Sequence, residues 1–322
     1  MSEILIPAEP RLPGTKKTEV YNLEEGLKIP GTDYVIMYAP GYQFLRQLNI
    51  IDLDKEARQT LKTLKRYKPS TTLEPTDRPL AEDLPKELYI AVFGSVGSGK
   101  SCLINSLKYV LGYDQKKAYE DITGERTGVC NTTDDSKTRG FLKVFLTDQI
   151  AVFDNRGMPD FDEATVAVVA TQLCGLRENS DNVNWNRNVV DKLVDAKEMA
   201  LRGGDTKDCQ IHIALLVVRA SDRTLRVKEM GEFAKRIKMA TSELPIAVVT
   251  HIDEAKEHRV EEIVSDLEDL GIQFIFTVRN YTVRDHEVDP QTHKTMLNII
   301  QCCTRQGDKV MRNRPHTECR IL

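Results

Sequence analysis

The segment LYIAVF at 88–93 is followed at once by GSVGSGKS at 94–101, and this junction decides the fold. The second part fits the pattern G-x-x-x-x-G-K-[ST] at every position. The apolar run predicts a strand and the residues from Lys100 onward predict a helix, so the glycine-rich loop leads into a helix N-terminus. Backbone N–H groups in such a loop turn inward and bind phosphate oxygens. The predicted phosphate-binding residues are Gly94, Ser95, Val96, Gly97, Ser98, Gly99, Lys100, Ser101 and Cys102.

Two side chains of this loop carry most of the predicted chemistry. Lys100 is expected to bridge β- and γ-phosphate oxygens, and we predict it as the catalytic residue. The hydroxyl of Ser101 is expected to bind Mg²⁺. Asp154 ends the apolar run IAVFD at 150–154, where a carboxylate beside the loop can hold Mg²⁺ through water. Gly157 completes the pattern D-x-x-G and can offer its N–H to a γ-phosphate.

A third metal ligand is expected from a threonine shortly before the second strand. We predict Thr133 because that strand begins near Gly140, although Thr132 is the neighbouring alternative. Thr123 and Thr127 lie further back in the chain and are the weaker candidates.

The base of the nucleotide is predicted to contact Thr250-His251-Ile252-Asp253, which begins at the last residue of the apolar run PIAVVT at 245–250. A carboxylate at Asp253 can accept both the N1–H and the N2–H of guanine, a donor pair that adenine lacks. This feature disfavours an ATP-using kinase. Because Asp253 precedes a predicted helix, it could instead be a helix N-cap.

The final candidate segment is FIFTVRNY at 274–281, which follows the last apolar run. Its position predicts that Val278, Arg279 and Asn280 lie beside the base, with a backbone N–H reaching guanine O6. The alternative is a plain loop between a strand and a helix.

Apolar runs alternate with helical patterns between residues 86 and 306. Most runs are continuous rather than alternating, which is typical of strands covered on both faces. We therefore predict an α/β fold with a three-layer, mainly parallel sheet. A proline-rich N-terminal extension with one helix is expected at 1–85, a polar insertion at about 177–208 with a helix near 188–201, and a basic tail at 307–322.

Composition narrows the functional classes. The 45 basic and 49 acidic residues give a net charge of −4, so no nucleic-acid partner is indicated. No run of eighteen apolar residues exists, and the N-terminus lacks the pattern of a secretory signal. Seven scattered cysteines without a C-x-x-C pair indicate reduced thiols in a cytoplasmic protein.

Taken together, these motifs resemble a Ras-type G domain of the translation-factor class, and the resemblance implies a P-loop NTPase G-domain fold. More narrowly, the YKP at 67–69, GSVGSGKSCLINSL at 94–107, THIDEA at 250–255 and the VRNY loop at 278–281 resemble the interferon-induced protein 44 family, including its 44-like members. The resemblance implies a cytoplasmic GTP- and GDP-binding protein linked to innate antiviral responses. His251 departs from it, since the related [NT]-K-x-D element carries a lysine whose stem lies along the base.

Met158 occupies the position at which Ras-like enzymes carry a glutamine that orients the attacking water. Methionine cannot hydrogen-bond a water, so we expect a slow GTPase that acts as a switch or a self-assembling factor. A nucleotide-dependent homodimer could supply the missing group. The alternative is a scaffold that GTP or GDP stabilises without meaningful hydrolysis.

The chain ends Cys319-Arg320-Ile321-Leu322, a C-a-a-X pattern of the geranylgeranyl type. From Arg305 onward, five basic and two acidic residues give a charge of +3. The pattern predicts peripheral membrane contact through a prenylated Cys319, and the alternative is an unmodified tail.

Overall fold

The chain divides into two units, Met1–Asp54 with Glu287–Pro290, and Lys55–His286 with Gln291–Leu322. A computed structural model describes residues 4–6, 27–28, 34–39, 42–47, 55–79, 84–112, 141–159, 161–176, 191, 194, 210–222, 227–282 and 289–313.

The first unit contains a four-stranded antiparallel sheet in the order β1-β4-β3-β2. Its strands are β1 (Ile4–Ile6), β2 (Leu27–Lys28), β3 (Tyr34–Ala39) and β4 (Tyr42–Gln47). The sequence predicts the third of these from Tyr34 to Tyr38 and misses the other three. Of the missed strands, β1 and β2 have three and two residues, which are too few to show the two-residue alternation that identifies a strand.

The second unit is built on a six-stranded sheet in the order β10-β9-β8-β5-β7-β6. Its strands are β5 (Leu88–Phe93), β6 (Leu142–Thr147), β7 (Ile150–Asp154), β8 (Ile213–Arg219), β9 (Ile246–Thr250) and β10 (Ile275–Thr277). The pairings are parallel except at the edge, where β6 runs antiparallel to β7.

Every residue of β5, β7 and β9 is buried, so both faces of the central sheet are covered. The helices of this unit are α1 (Lys55–Lys65), α2 (Lys100–Leu111), α3 (Glu163–Leu173), α4 (Val227–Thr241), α5 (Glu257–Asp269) and α6 (Pro290–Asn313). The predicted α/β fold with a mainly parallel sheet is confirmed.

Helix α6 continues to Asn313, into the segment 307–322 that the sequence predicts as a basic tail. Gly307 and Asp308 are poor helix formers, but tertiary contacts explain both. A Cβ on Gly307 would lie 2.3 Å from Leu88 Cδ1, so the missing side chain lets α6 approach β5 closely. Of the helix predicted near 188–201, the structure describes only Asp191 and Val194, which are helical.

The fully buried carboxylate of Asp308 ties the segment after α1 to α6. It accepts hydrogen bonds from the Tyr67 hydroxyl at 2.6 Å and the Ser70 N–H at 2.7 Å. It also accepts from the N–H and the hydroxyl of Thr72, at 2.8 and 2.6 Å. Burial, followed by the charge of Asp308, raises the pKa of Tyr67, which therefore remains a donor. These bonds join residues more than 230 positions apart in sequence.

The cysteines depart from the expected reduced state at one position. Cys174, directly after α3, takes part in a disulfide, whereas Cys102, Cys302 and Cys303 are free. A disulfide requires its two Cα atoms to lie within about 7 Å, a proximity that sequence spacing does not reveal. None of the helices in the described ranges is long and apolar enough to span a bilayer.

Candidate functional site

The candidate site lies at the carboxyl ends of five neighbouring parallel strands. The glycine-rich loop follows the central β5, and Asp154 ends β7 on one side of it. On the other side, the ends of β8, β9 and β10 contribute Arg219, Thr250 and the loop after Thr277. Ligands of open α/β sheets bind outside this edge, where neighbouring connections diverge. The fold therefore brings the predicted phosphate and base residues to one edge.

Positive φ angles shape the phosphate loop. Gly97 and Gly99 have φ of 74° and 84°, a region that glycine enters without steric cost. A Cβ on Gly99 would lie 2.9 Å from Cε1 of His251 and 3.0 Å from Nδ2 of Asn280. Glycine is therefore required there by both the backbone conformation and the close approach of two side chains from the predicted base site.

Lys100 lies folded against its own loop. Its Nζ donates hydrogen bonds to the carbonyl oxygens of Gly94 at 3.1 Å and Ser95 at 2.8 Å. Burial lowers the pKa of Lys100 to about 8, while the negative charge of Asp154 acts in the opposite direction. A phosphate group at this loop would favour the charged ammonium further, since an opposite charge nearby stabilises the ionised form.

Ser101 and Asp154 are brought into direct contact, as the metal prediction requires. The Ser101 hydroxyl donates to Asp154 Oδ2 at 2.7 Å. The part of the chain that the structure describes contains no group of three or more His, Cys, Asp or Glu side chains that could hold a metal ion by itself. Mg²⁺ in nucleotide sites uses few protein ligands and takes the rest from phosphates and water. A hydroxyl and a carboxylate at this spacing fit that ion.

The D-x-x-G segment is held against the phosphate loop. Gly157 packs on Val96, where a Cβ would meet the Val96 Cα at 2.6 Å. The N–H of Met158 donates to the Gly94 carbonyl at 3.0 Å, and the Met158 side chain is buried in the core. The methionine side chain therefore points away from solvent, where it could not orient a water.

The side chain of Asn155 is held in place by helix α3. Its amide exchanges two hydrogen bonds with the amide of Gln172 on α3, at 2.9 and 3.2 Å, and both side chains are buried. The amide of Asn155 is thus engaged in structure and is a poor candidate for orienting a water in place of glutamine.

Thr250 and His251 join the base side of the site to the phosphate loop. The Thr250 hydroxyl donates to the Ser98 carbonyl at 2.7 Å, and His251 Nδ1 lies 3.0 Å from the Thr250 oxygen. His251 has a left-handed backbone, with φ of 55°, which places its ring against Gly99. Desolvation, followed by the positive charge of Arg219, lowers the pKa of His251, so the ring is neutral near pH 7.

Asp253 is exposed in a short 3-10 turn, Ile252–Glu254. The N-cap of the following helix α5 is Lys256, and it makes no side-chain capping bond. The alternative of a helix cap at Asp253 is therefore wrong. Its carboxylate stands at the predicted base site without a capping role.

Asn280 also belongs to this junction. Its Nδ2 donates to the Gly99 carbonyl at 3.2 Å, while its buried Oδ1 has no hydrogen-bond partner among the described residues. The loop before it is held by the Val278 N–H, which donates to the Val249 carbonyl at 2.8 Å. Arg279 is half-buried next to it.

One functional candidate, Arg219, was not identified from the sequence. Its Nη1 lies 3.7 Å from where a Cβ on Gly97 would stand. No motif marks it, because it only ends an apolar run and reaches the loop through the pairing of β8 with β5. Two predictions, Thr133 and Cys319, lie outside the described residues.

The strand order, the antiparallel edge strand β6 and the phosphate loop after the central strand together define a mainly parallel α/β fold with a P-loop.

No family profile and no curated protein matches the chain, so the resemblance to the interferon-induced protein 44 family stays a prediction. Similar solved structures include elongation factor SelB from Methanococcus maripaludis with the GTP analogue GppNHp, at 15% identity and TM-score 0.35 over 72% of this chain and 35% of that one. Bacterial elongation factor EF-Sec has 18% identity and TM-score 0.34 over 66% and 29%. Sup35 complexed with GDP has 14% identity and TM-score 0.30 over 67% and 43%. The chain spans less than half the length of each.

Proposed function

We propose that this protein is a Mg²⁺-dependent guanine-nucleotide-binding protein. The observation that carries the proposal is the convergence of the two base-side loops on Gly99. His251 packs on this glycine and Asn280 donates to its carbonyl, so the base and phosphate elements form one continuous surface. A single nucleotide bound at this surface could contact both elements.

Different residues would bind the phosphates, the Mg²⁺ ion and the base of the nucleotide. The backbone of Gly94–Gly99 and the ammonium of Lys100 bind the β- and γ-phosphates. Ser101 and Asp154, with Thr133 as the proposed third ligand, would hold Mg²⁺, which neutralises phosphate charge when bound. The carboxylate of Asp253 accepts from guanine N1–H and N2–H, and the neutral His251 ring covers a face of the base.

The wider role proposed is a switch or self-assembling factor of innate defence, for which the resemblance at 94–107, 250–255 and 278–281 is the support. A nucleotide-dependent homodimer and peripheral membrane contact through a prenylated Cys319 are parts of this proposal. A GTP- or GDP-stabilised scaffold is the second candidate. The buried Met158 side chain and the engaged Asn155 amide favour that scaffold, since neither can position a water.

The nucleotide proposal is tested by Lys100→Met, which keeps most of the buried hydrocarbon and removes the charge. We expect both GTP and GDP to bind at least about tenfold more weakly, because a charge-assisted contact to phosphate is lost. Titration calorimetry of the purified protein measures both affinities. Lys235→Ala is the control, since this lysine makes an exposed ion pair with Glu232 on α4. Equal affinities in the wild type and in Lys100→Met would contradict the phosphate assignment.

The hydrolysis prediction concerns the dilute wild-type protein with GTP and Mg²⁺. We expect phosphate release on the order of 10⁻⁴–10⁻³ s⁻¹ or slower, the range of unassisted Ras-like turnover. Single-turnover phosphate release, repeated at increasing protein concentration, measures the rate. A constant, undetectable rate supports the scaffold, whereas a rate that rises with concentration supports assembly that completes the site. A rate above about 1 s⁻¹ for the dilute protein would show that another group positions the water.

A further inference from the structure

Arg219 presents its guanidinium between the two halves of the proposed nucleotide site. It ends β8 and pairs with Thr250 of β9, the residue that precedes His251. Its Nη1 lies near Gly97, where 3.7 Å separates it from the position of an added Cβ. The same guanidinium is close enough to His251 for its charge to lower the pKa of that ring. Arg219 therefore lies between the phosphate loop and the base loop.

Two partners fix the orientation of this side chain. Nε donates to the Ser221 hydroxyl at 2.8 Å, and Nη2 donates to Glu254 Oε2 at 2.6 Å. Ser221 in turn donates to the same Glu254 oxygen at 3.2 Å. The Arg219 side chain is 38% exposed, and an ion pair at such a site contributes little stability. These contacts orient the side chain. Because the guanidinium is planar, the hydrogen bonds at Nε and Nη2 also fix the direction in which Nη1 points.

The third nitrogen, Nη1, has no hydrogen-bond acceptor within the described ranges. A nucleotide whose β-phosphate lies in the loop and whose base lies at Asp253 must pass its α-phosphate and ribose between them. Of these two groups, the α-phosphate carries the negative charge that a guanidinium recognises best.

We propose that Arg219 binds the α-phosphate of the guanine nucleotide and supplies the positive charge that the [NT]-K-x-D lysine would carry at position 251. The proposal rests on the guanine-nucleotide function proposed above. It also gives a physical reason for a histidine at that position. A lysine at 251 would place a second cation beside the guanidinium, whereas a neutral imidazole covers the base without repulsion.

The test uses Arg219→Ala in the full chain, with affinities for GDP and GTP measured by fluorescence titration of methylanthraniloyl nucleotides. We expect both affinities to fall roughly tenfold and by the same factor, because both nucleotides contain an α-phosphate. The GTP-to-GDP affinity ratio and the melting temperature without nucleotide should stay unchanged.

Arg259→Ala is the matched control. Arg259 also has one carboxylate partner, Glu262 at 2.7 Å, and donates to the Asp222 carbonyl, but it lies on α5. A double variant, Arg219→Ala with His251→Lys, should bind both nucleotides at least about threefold more tightly than Arg219→Ala alone, since it returns a cation to the site. A merely structural role for Arg219 would give no such recovery.

The possible outcomes separate a failure of the α-phosphate assignment from a failure of the proposed nucleotide binding. An equal effect of Arg219→Ala and Arg259→Ala, a loss confined to GTP, or no recovery in the double variant overturns the α-phosphate assignment. Wild-type protein that binds neither nucleotide overturns the proposed function itself, and with it this inference.

Discussion

Asp253→Asn should exchange guanine for xanthine as the preferred base. The carboxylate accepts two guanine donors, and an amide in its place offers one donor group where an acceptor is needed. We expect GDP affinity to fall at least about 100-fold, because two charge-assisted hydrogen bonds are lost. Xanthosine diphosphate should gain affinity, since the amide can donate to its O2 while the carboxylate repels it. Competition of both nucleotides against labelled GDP measures the exchange.

The control for this experiment is Asp269→Asn, an exposed carboxylate at the end of α5. It should leave both affinities unchanged. Because Lys256 is the N-cap of α5, Asp253→Asn should also leave the thermal midpoint within about 1 °C of the wild type. An unaltered preference for guanine in Asp253→Asn would remove this carboxylate from the base site.

Asp308→Ala should produce the largest loss of stability of the variants considered. The substitution leaves the buried Tyr67 hydroxyl and the Ser70 N–H without their acceptor, together with both donors of Thr72. The exposed donors of Thr72 can turn to water, whereas the two buried donors lose about 1.5–3 kcal/mol each, so we expect a decrease of about 3–6 kcal/mol in the free energy of unfolding. Urea denaturation followed by circular dichroism measures it.

Lys309→Ala tests the adjacent position on the same helix. Lys309 forms an ion pair with Glu243 at 2.7 Å, with its side chain 45% exposed, so its loss should cost less than about 1 kcal/mol. Tyr67→Phe removes one of the four bonds and should fall between the two variants. If Asp308→Ala and Lys309→Ala were equally stable, the hydrogen bonds at Asp308 would contribute nothing beyond an exposed ion pair.

The central sheet and the phosphate loop were predictable because their signals are local. Continuous apolar runs mark β5 and β7 at their observed bounds, and the glycine-rich loop carries its chemistry within eight residues. The place of Asp154 beside the phosphate loop was also expected, since parallel strands bring their carboxyl ends to one edge, but its direct hydrogen bond with Ser101 was not.

The remaining features depend on contacts between distant positions. The roles of Arg219 and Asp308 come from strand pairing and helix packing, which no spacing rule encodes. The predicted tail begins at residue 307, inside α6, because Gly307 weakens a helix on its own, whereas packing against Leu88 requires it. The disulfide at Cys174 was missed for the same reason.

The hydrogen bonds of Asp308 also determine when folding can be completed during synthesis. Tyr67 and Asp308 are 241 residues apart, so at typical translation rates roughly 12–50 s separate the appearance of the two partners. Throughout that interval the segment 67–72 lacks its acceptor, and Leu88 lacks the helix that covers it. This unit therefore cannot complete its native contacts before residue 308 has been synthesised. A chain released before residue 308 would leave the α6-covered side of the sheet open to chaperones and proteases.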